Sequence, residues 1–434
     1  MKRNFAWALA GNVVYGASLW LSLVILAKLT SAADVGRFAL AMAICTPIAV
    51  FSSLNLRSVQ VTDAREEHRF GHLLGLQLAM TVLAMALIVG IAVAGGHDTL
   101  TAWLIVVVGL GQMVIMIRDV FLAFSQKHER MDQVAQSKII LSLGALVALG
   151  TMTWATGNVL IGVLAMQLVK LGVFLLWDLR ATGRLVREYV GEFPRQYFRP
   201  HWKADVMLAM AWLALPLGVT ALLMSLSSNV PRYYIAAFWS EAHLGYFAAI
   251  LTLVQAGRTA MHAGIMSSLP RLSRYYLDNR RAYLTMMLKL IGVAMVLGAG
   301  GIVVAAVLGQ RLLAVVFTAE YAAYGREFVW AMVYGMLVYV VLVLHYGMTA
   351  MRRFKVQPFV LLASLLTVIG TGFWLVPDHG LIGAIWALIL AKLVEAAFTL
   401  LVIVYELRRT VSPAVGDIVA SSAGPIKPAS GAGV

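Results

Sequence analysis

The sequence predicts an all-α integral membrane protein: twelve transmembrane helices in two pseudo-symmetric six-helix lobes around a central cavity, with both termini cytoplasmic. Three observations carry that expectation: an apolar composition, twelve apolar runs of membrane-spanning length, and an internal repeat that divides those runs six and six. Of 434 residues, 61% are hydrophobic and 12% charged, against roughly 45–50% and about 25% in a soluble domain. A water-soluble interior would be filled long before this apolar supply ran out. That excludes a cytosolic enzyme, a DNA-binding module and a secreted disulfide scaffold. Cys45 is the one cysteine, so neither a disulfide framework nor a cysteine metal site is available.

A membrane helix needs about 20 mainly apolar residues to cross about 30 Å of hydrocarbon. Read against charged and turn-rich breaks, the first half gives runs at 7–29, 36–58, 71–94, 101–125, 134–155 and 158–178. The second half gives 209–238, 242–268, 284–308, 328–350, 357–377 and 381–405. None alternates polar and apolar over about ten residues, as barrel strands do. The first run follows Met1-Lys2-Arg3, but it is far longer than the roughly 7–15 residues of a signal-peptide core and reads as an uncleaved helix. Residues 1–180 and 209–410 are the expected lobes. Between them, 181–208 is a basic linker with Tyr189, Phe193, Tyr197, Phe198 and Trp202. It suits the headgroup region, where cations meet anionic lipid and rings sit at the interface. Residues 411–434 are rich in Ala, Gly, Ser and Pro and are expected to be a disordered cytoplasmic tail.

Basic residues set the orientation. Loops on the side of the termini hold 24 Lys and Arg, whereas the opposite side holds only Lys28, Arg37, Arg311 and Arg326. The positive-inside rule therefore places both termini in the cytoplasm. The formal net charge of +14 divides into +12 in cytoplasmic segments, −2 in external loops and +4 within the runs. Most of the basic excess is topology and gives no indication of nucleic acid. The longest external segment, about 309–327, carries Glu320, Arg326 and Glu327 and reads as an interfacial cap.

The halves resemble each other. Leu26–Ala41 (LAKLTSAADVGRFALA) and Ile235–Ile250 (IAAFWSEAHLGYFAAI) match at six of sixteen positions, including Ser31/Ser240, Gly36/Gly245 and Phe38/Phe247. LIGVLAMQLVKL from Leu160 resembles LIGAIWALILAKL from Leu381 with one residue inserted, which pairs Lys170 with Lys392. Six helices per half make the repeats parallel, related by an axis along the membrane normal. Transporters built this way place substrate between the halves.

Ionisable residues inside hydrocarbon normally face a wet cavity or a partner. Lys170, Lys392, Arg232, Arg258, Arg57 and Arg118 fall within the runs, against Asp119 and Glu395 as the matching acids. Arg57 and Arg118 lie near helix ends, where snorkelling to the interface is the alternative. Lys392 and Glu395 are three apart and can pair with each other. Arg232 follows Pro231, whose missing amide hydrogen opens the helix ladder, and Asn229, Tyr233 and Tyr234 surround it. His262 and His345 are packing residues or proton relays. Six cations against two acids point to an anion, and the planar fork of Arg suits phosphate. No metal-ligand cluster is evident, and no G-x-x-x-x-G-K-[ST] motif for nucleotide is present.

The order LAKLTSAADVGRFALAMAI, SLSSNVPRYYIAAFWSEAHLGYFAAI, SSLPRLSRYY, FTAEYAAYG and PDHGLIGAIWAL resembles the polysaccharide-transporter, or O-antigen flippase, branch of the multidrug/oligosaccharidyl-lipid/polysaccharide exporter superfamily. The resemblance spans about residues 5–405. It implies two lobes opening alternately to each side of the bacterial inner membrane. The cargo it implies is an undecaprenyl-pyrophosphate-linked oligosaccharide, an O-antigen, capsule or exopolysaccharide repeat unit. Arg232, Arg258, Lys170, Lys392, Arg118, Arg57 and Asn229 are the expected substrate contacts. Glu395, Asp119, His262 and His345 are candidates for coupling to Na⁺ or H⁺. The expectation is a transporter with no catalytic residues, cofactor or resident metal, and with the lipid-linked glycan, the bilayer and glycan-assembly proteins as partners. The rivals are a small-molecule exporter, a membrane glycan polymerase or ligase, and a scaffold in a glycan-assembly complex.

Overall fold

The computed structural model describes residues 2–63, 69–191, 193–353 and 356–409, and every regular element among them is helical. The first half comprises α1 (Lys2–Leu29), α2 (Ala32–Ser52), α3 (Leu56–Thr62), α4 (Phe70–Ala94), α5 (Thr99–Lys127), α6 (Met131–Thr156) and α7 (Val159–Val173). A π-helical segment, Phe174–Asp178, carries α7 into α8 (Leu179–Tyr189), and α9 (Pro194–Tyr197) follows. The second half comprises α10 (Ala204–Phe238), α11 (Glu241–Asp278), α12 (Arg280–Val316), a 3₁₀ turn at Ala319–Tyr324, α13 (Gly325–Ala350) and α14 (Gln357–Arg409). The expected tail, 411–434, lies outside the described residues.

Among the described residues, ten helices are long and apolar enough to cross a membrane. One of them, α14, has 53 residues and a contour length of about 80 Å, more than twice the hydrocarbon thickness. Its helical dihedrals break at Gly380 (φ 56°, ψ −128°), between the two runs read from the sequence. The run expected at 36–58 is likewise two pieces: Leu54 and Asn55 take positive φ and separate α2 from α3. The run expected to stop at 178 continues through the π segment to Tyr189.

The sequence repeat has a local structural cause. Ser31 Oγ accepts from Asp34 N at the start of α2, and Ser240 Oγ accepts from His243 N at the start of α11. Each satisfies a helix-terminal amide that has no partner in its own helix. Five residues on, Gly36 and Gly245 meet where α2 crosses α11. A Cβ at Gly36 would lie 1.8 Å from Glu241 O, and one at Gly245 would lie 2.1 Å from Ala32 O, so neither position admits a side chain. A further match sits on α6 and α14, where Gly150-Thr151 with Trp154 and Gly370-Thr371 with Trp374 share one spacing, both tryptophans exposed on the outer surface.

The buried side chains form one large cluster and two smaller ones. The large cluster joins both halves and includes Val35, Phe38, Leu244, Phe247, Phe317 and Tyr321. Toward the helix ends on the side of the N-terminus, Phe70, Phe121, Phe124 and Phe174 anchor a cluster of the first half. There Tyr283, Met287, Tyr339 and Leu344 anchor a separate one of the second half. The first-half cluster also takes Met210 and Ala214 from α10, so that helix packs on both halves.

Candidate functional site

The charged residues inside the helices gather in three places. In the first half, the π segment sets Asp178 opposite α5, where Arg118 Nε donates to Asp178 Oδ2 at 2.5 Å and Arg118 Nη2 donates to Ser137 Oγ. Ser137 Oγ in turn donates to Asp178 Oδ1. The pair is closed from solvent, with Arg118 3% exposed. Beside it, Arg57 donates to Asp119 Oδ1 at 3.1 Å and to Gln126 Oε1 at 2.8 Å. Lys138 of α6 donates to Asn12 Oδ1 of α1 at 2.7 Å, within electrostatic reach of Arg57 and Asp119.

In the second half, Glu395 is the centre. It is 1% exposed and accepts from Lys392 Nζ at 2.6 Å and Ser364 Oγ at 2.9 Å, and His345 Nε2 lies 3.2 Å from its other oxygen. His262 and Tyr346 share a hydrogen bond of 2.7 Å. Arg258 lies within electrostatic reach of His262, His345 and Tyr346, while its own contact is a 3.3 Å bond to Gln255 Oε1. A carboxylate, a serine and a base thus meet in each half, contributed by α5, α6 and the π segment in one and by α13 and the two parts of α14 in the other.

The third place is on α10. Arg232 Nη1 donates to Asn229 Oδ1 at 2.6 Å, and Asn229 Nδ2 donates to Ser225 O. Arg232 Nε is buried without a hydrogen-bond partner among the described residues. The neighbouring Tyr233 hydroxyl donates to Ala43 O of α2 at 2.5 Å. Lys170 stands apart from all three places. No hydrogen bond or ion pair joins its side chain to a described residue.

The charge balance read from the sequence needs a correction: the six cations face three acids, because Asp178 is buried beside Arg118. Asp178 closes the run 158–178 and reads as a helix end from sequence, since an apolar run does not reveal that its helix continues past its last apolar residue. Arg118, Arg57 and Lys392 each have a carboxylate partner. Arg232, Arg258 and Lys170 have none among the described residues. The structure brings Arg258, His262, His345, Lys392 and Glu395 together, and Arg57, Arg118 and Asp119 together, but keeps Arg232 with Asn229 separate.

The ends of the halves away from the N-terminus are clasped by residues that the sequence assigns only to loops. Arg37 Nη1 binds Asp34 at 3.0 Å, and Arg37 Nε lies 2.8 Å from Glu241 Oε2 and 3.7 Å from Asp98 Oδ2. Burial raises the Asp98 carboxyl, but the Thr101 hydrogen bond and the Arg37 charge outweigh it and hold Asp98 below its ordinary value. Burial pushes the Glu241 carboxyl up, and the Arg37 charge only partly offsets that. Among the described residues, no group of three His, Cys, Asp or Glu is arranged to hold a metal ion.

Comparison with known proteins adds the following. The profile of a family described as "Polysaccharide biosynthesis protein" matches residues 1–276. The capsular polysaccharide biosynthesis protein CapF of Staphylococcus aureus is 22% identical over 399 residues, covering 91% of this chain and 97% of CapF. The lipid II flippase MurJ in an inward closed conformation superposes with a TM-score of 0.74 at 11% identity, covering 92% of this chain and 87% of MurJ. An inward-facing multidrug resistance MATE transporter of the MOP superfamily gives 0.64 at 13% identity, covering 95% and 96%.

Proposed function

The chain belongs to the polysaccharide biosynthesis protein family, and on that premise we propose that it is a flippase for an undecaprenyl-pyrophosphate-linked oligosaccharide. It is a multi-pass protein of the bacterial inner membrane and a transporter, not an enzyme. The observation that carries the substrate class is that Arg232, Arg258 and Lys170 lie in apolar helices with no carboxylate partner among the described residues. Holding a cation in low dielectric is costly unless a counter-charge is present. A pyrophosphate or acidic sugar supplies that charge, and arginine binds it with two parallel hydrogen bonds. The part of the Staphylococcus relative in capsular polysaccharide biosynthesis supports a capsular or related repeat unit, and the lipid II cargo of MurJ supports a lipid-linked one.

In this reading the lobes are 1–180 and 209–410, joined by 181–208, with both termini in the cytoplasm. The twelve crossings are α1, α2 with α3, α4, α5, α6, α7 with α8, α10, α11, α12, α13 and α14 twice. The shared outer cluster, the Gly36–Gly245 crossing and the Arg37 clasp support a state closed to the outside. The separate inner clusters support a central cavity open to the cytoplasm, where cargo enters between Arg258 and the cations of the first half. Asn229 orients Arg232, and Lys392, Arg57 and Arg118, each held by a carboxylate, add to the positive field that the cargo meets. The Glu395–His345–Lys392–Ser364 network, with His262 and Asp119, is the proposed place of coupling to H⁺ or Na⁺.

A small-molecule exporter for cations needs free carboxylates, and Asp119, Asp178 and Glu395 are each held by a base. A polymerase or ligase needs an external catalytic segment, and the external turn at 319–324 is one short helix against Tyr246. Reconstitution with a fluorescent lipid-linked glycan separates the readings. The flippase moves the label between leaflets without altering it, whereas chemical change without translocation sinks the proposal.

A further inference from the structure

The segment joining the halves uses its apolar face on protein. Ala181, Thr182, Gly183, Leu185 and Val186 of α8 are buried, and Leu185 and Val186 join the aromatic cluster of the first half. At the end of α9, Tyr197 stacks on Phe70 at 5.3 Å. His201 N then donates to Gly71 O at 2.9 Å. The chain passes so close to α4 that a Cβ at Gly71 or Gly75 would lie within 2.7 Å of its backbone. The linker is therefore fastened to the first turns of α4.

What remains outward is a cationic and aromatic surface. Arg180, Arg184 and Arg187 are exposed at i, i+4 and i+7, which places them on one stripe of α8. Arg195, Arg199 and Lys203 continue the exposed charge, with Phe193 71% and Trp202 61% exposed among them. Among the described residues of 179–203, Glu188 is the one acid. No ion pair joins these six cations to a described carboxylate.

We propose that this face binds the anionic phospholipid headgroups of the cytoplasmic leaflet and so pins the first half to that leaflet while the second half moves. Charge complementarity selects the partner: clustered Arg and Lys beside a membrane helix attract acidic headgroups, at roughly fivefold in affinity per residue. Exposed Trp and Phe at the same level fit the interface, where amphipathic rings settle. Fastening through Gly71 and Tyr197 makes the contact a property of the first half, because the chain is held before α10 begins. The lipid contact does not rest on the flippase reading, whereas the pinning of one half while the other moves does.

The test reads lipid contact, not transport. The full chain is reconstituted into vesicles of phosphatidylcholine with 30 mol% phosphatidylglycerol as a chosen composition, with bromine on one lipid or the other. The signal of Trp202, one of eleven tryptophans, is isolated by subtracting that of Trp202→Phe. Brominated phosphatidylglycerol is expected to quench it several-fold more than brominated phosphatidylcholine at low salt, and less so at high salt. R180Q/R184Q/R187Q is expected to bring the ratio near one, and R180K/R184K/R187K to keep it. Equal quenching by both lipids in the wild-type chain overturns the proposal, as does loss of the preference in the lysine variant or its retention in the glutamine variant. Removal of the preference by inorganic phosphate assigns the face to a soluble anion and also overturns it. Shielding of Trp202 from both lipids overturns it in favour of a protein partner.

Discussion

Arg118 and Arg258 are both arginines within apolar helices, yet their surroundings differ in the way that separates a structural ion pair from a ligand site. Arg118 is closed in by Asp178 and Ser137, whereas Arg258 has a single long bond to Gln255. Removing one member of a buried pair leaves the other uncompensated, at a cost of about 3–5 kcal/mol. Asp178→Asn is therefore expected to lower the thermal unfolding midpoint of the purified protein sharply, while Arg258→Ala leaves it nearly unchanged. The clasp at the outer ends gives a second contrast. The folded value of Asp98 lies below its unfolded one, so its contribution is present above the ordinary aspartate value, about 3.9, and is lost as pH falls through the lower folded value. Glu241 has the opposite sign: its folded value is raised, so protonation through the ordinary glutamate range, about 4.3, favours the clasped form. At neutral pH Asp98→Asn is expected to loosen the outer ends and Glu241→Gln to be tolerated. Labelling of Leu244→Cys by an impermeant thiol reagent, in a Cys45→Ala background, reads both. Equal labelling of the two variants contradicts the assignment.

Among the elements, α2 and α11 carry the clearest consequence. Their backbones touch because positions 36 and 245 lack a Cβ, and overpacking a tight contact costs about 1–3 kcal/mol. Gly245→Leu is expected to part the helices and raise labelling of buried Val35→Cys from outside. Unchanged labelling would show that the crossing does not hold the outer end shut. The same pair illustrates what the sequence can tell. SAADVG and SEAHLG announce the caps and the repeat because Ser at a helix start and Gly at a crossing leave local marks. The runs announce helices because lipid demands apolar length. The π segment at Phe174–Asp178, the break at Leu54 and Asn55, and the meeting of Ser364 with Glu395 leave no such mark. They are decided by packing between helices far apart in sequence. The Asp178 partner of Arg118 and the Ser364 and His345 partners of Glu395 therefore become visible only when the helices are assembled, whereas Lys392, three residues from Glu395, is legible in the sequence.

For the whole molecule, a shared outer cluster and two separate inner ones suit a device that rocks about its outer end. In the proposed cycle the unpaired cations hold the charge of the moving cargo. Polar contacts to a charged group are worth about 1.5–3 kcal/mol each, which is roughly tenfold or more in rate where the contact holds the moving cargo. The most direct measurement is leaflet-to-leaflet translocation of a polyprenyl-pyrophosphate-linked oligosaccharide by Arg232→Ala/Arg258→Ala in proteoliposomes, at equal protein content and against wild type. The cationic-cavity account predicts a fall of at least about tenfold with the unfolding midpoint preserved. Translocation at the wild-type rate in that double variant would contradict it.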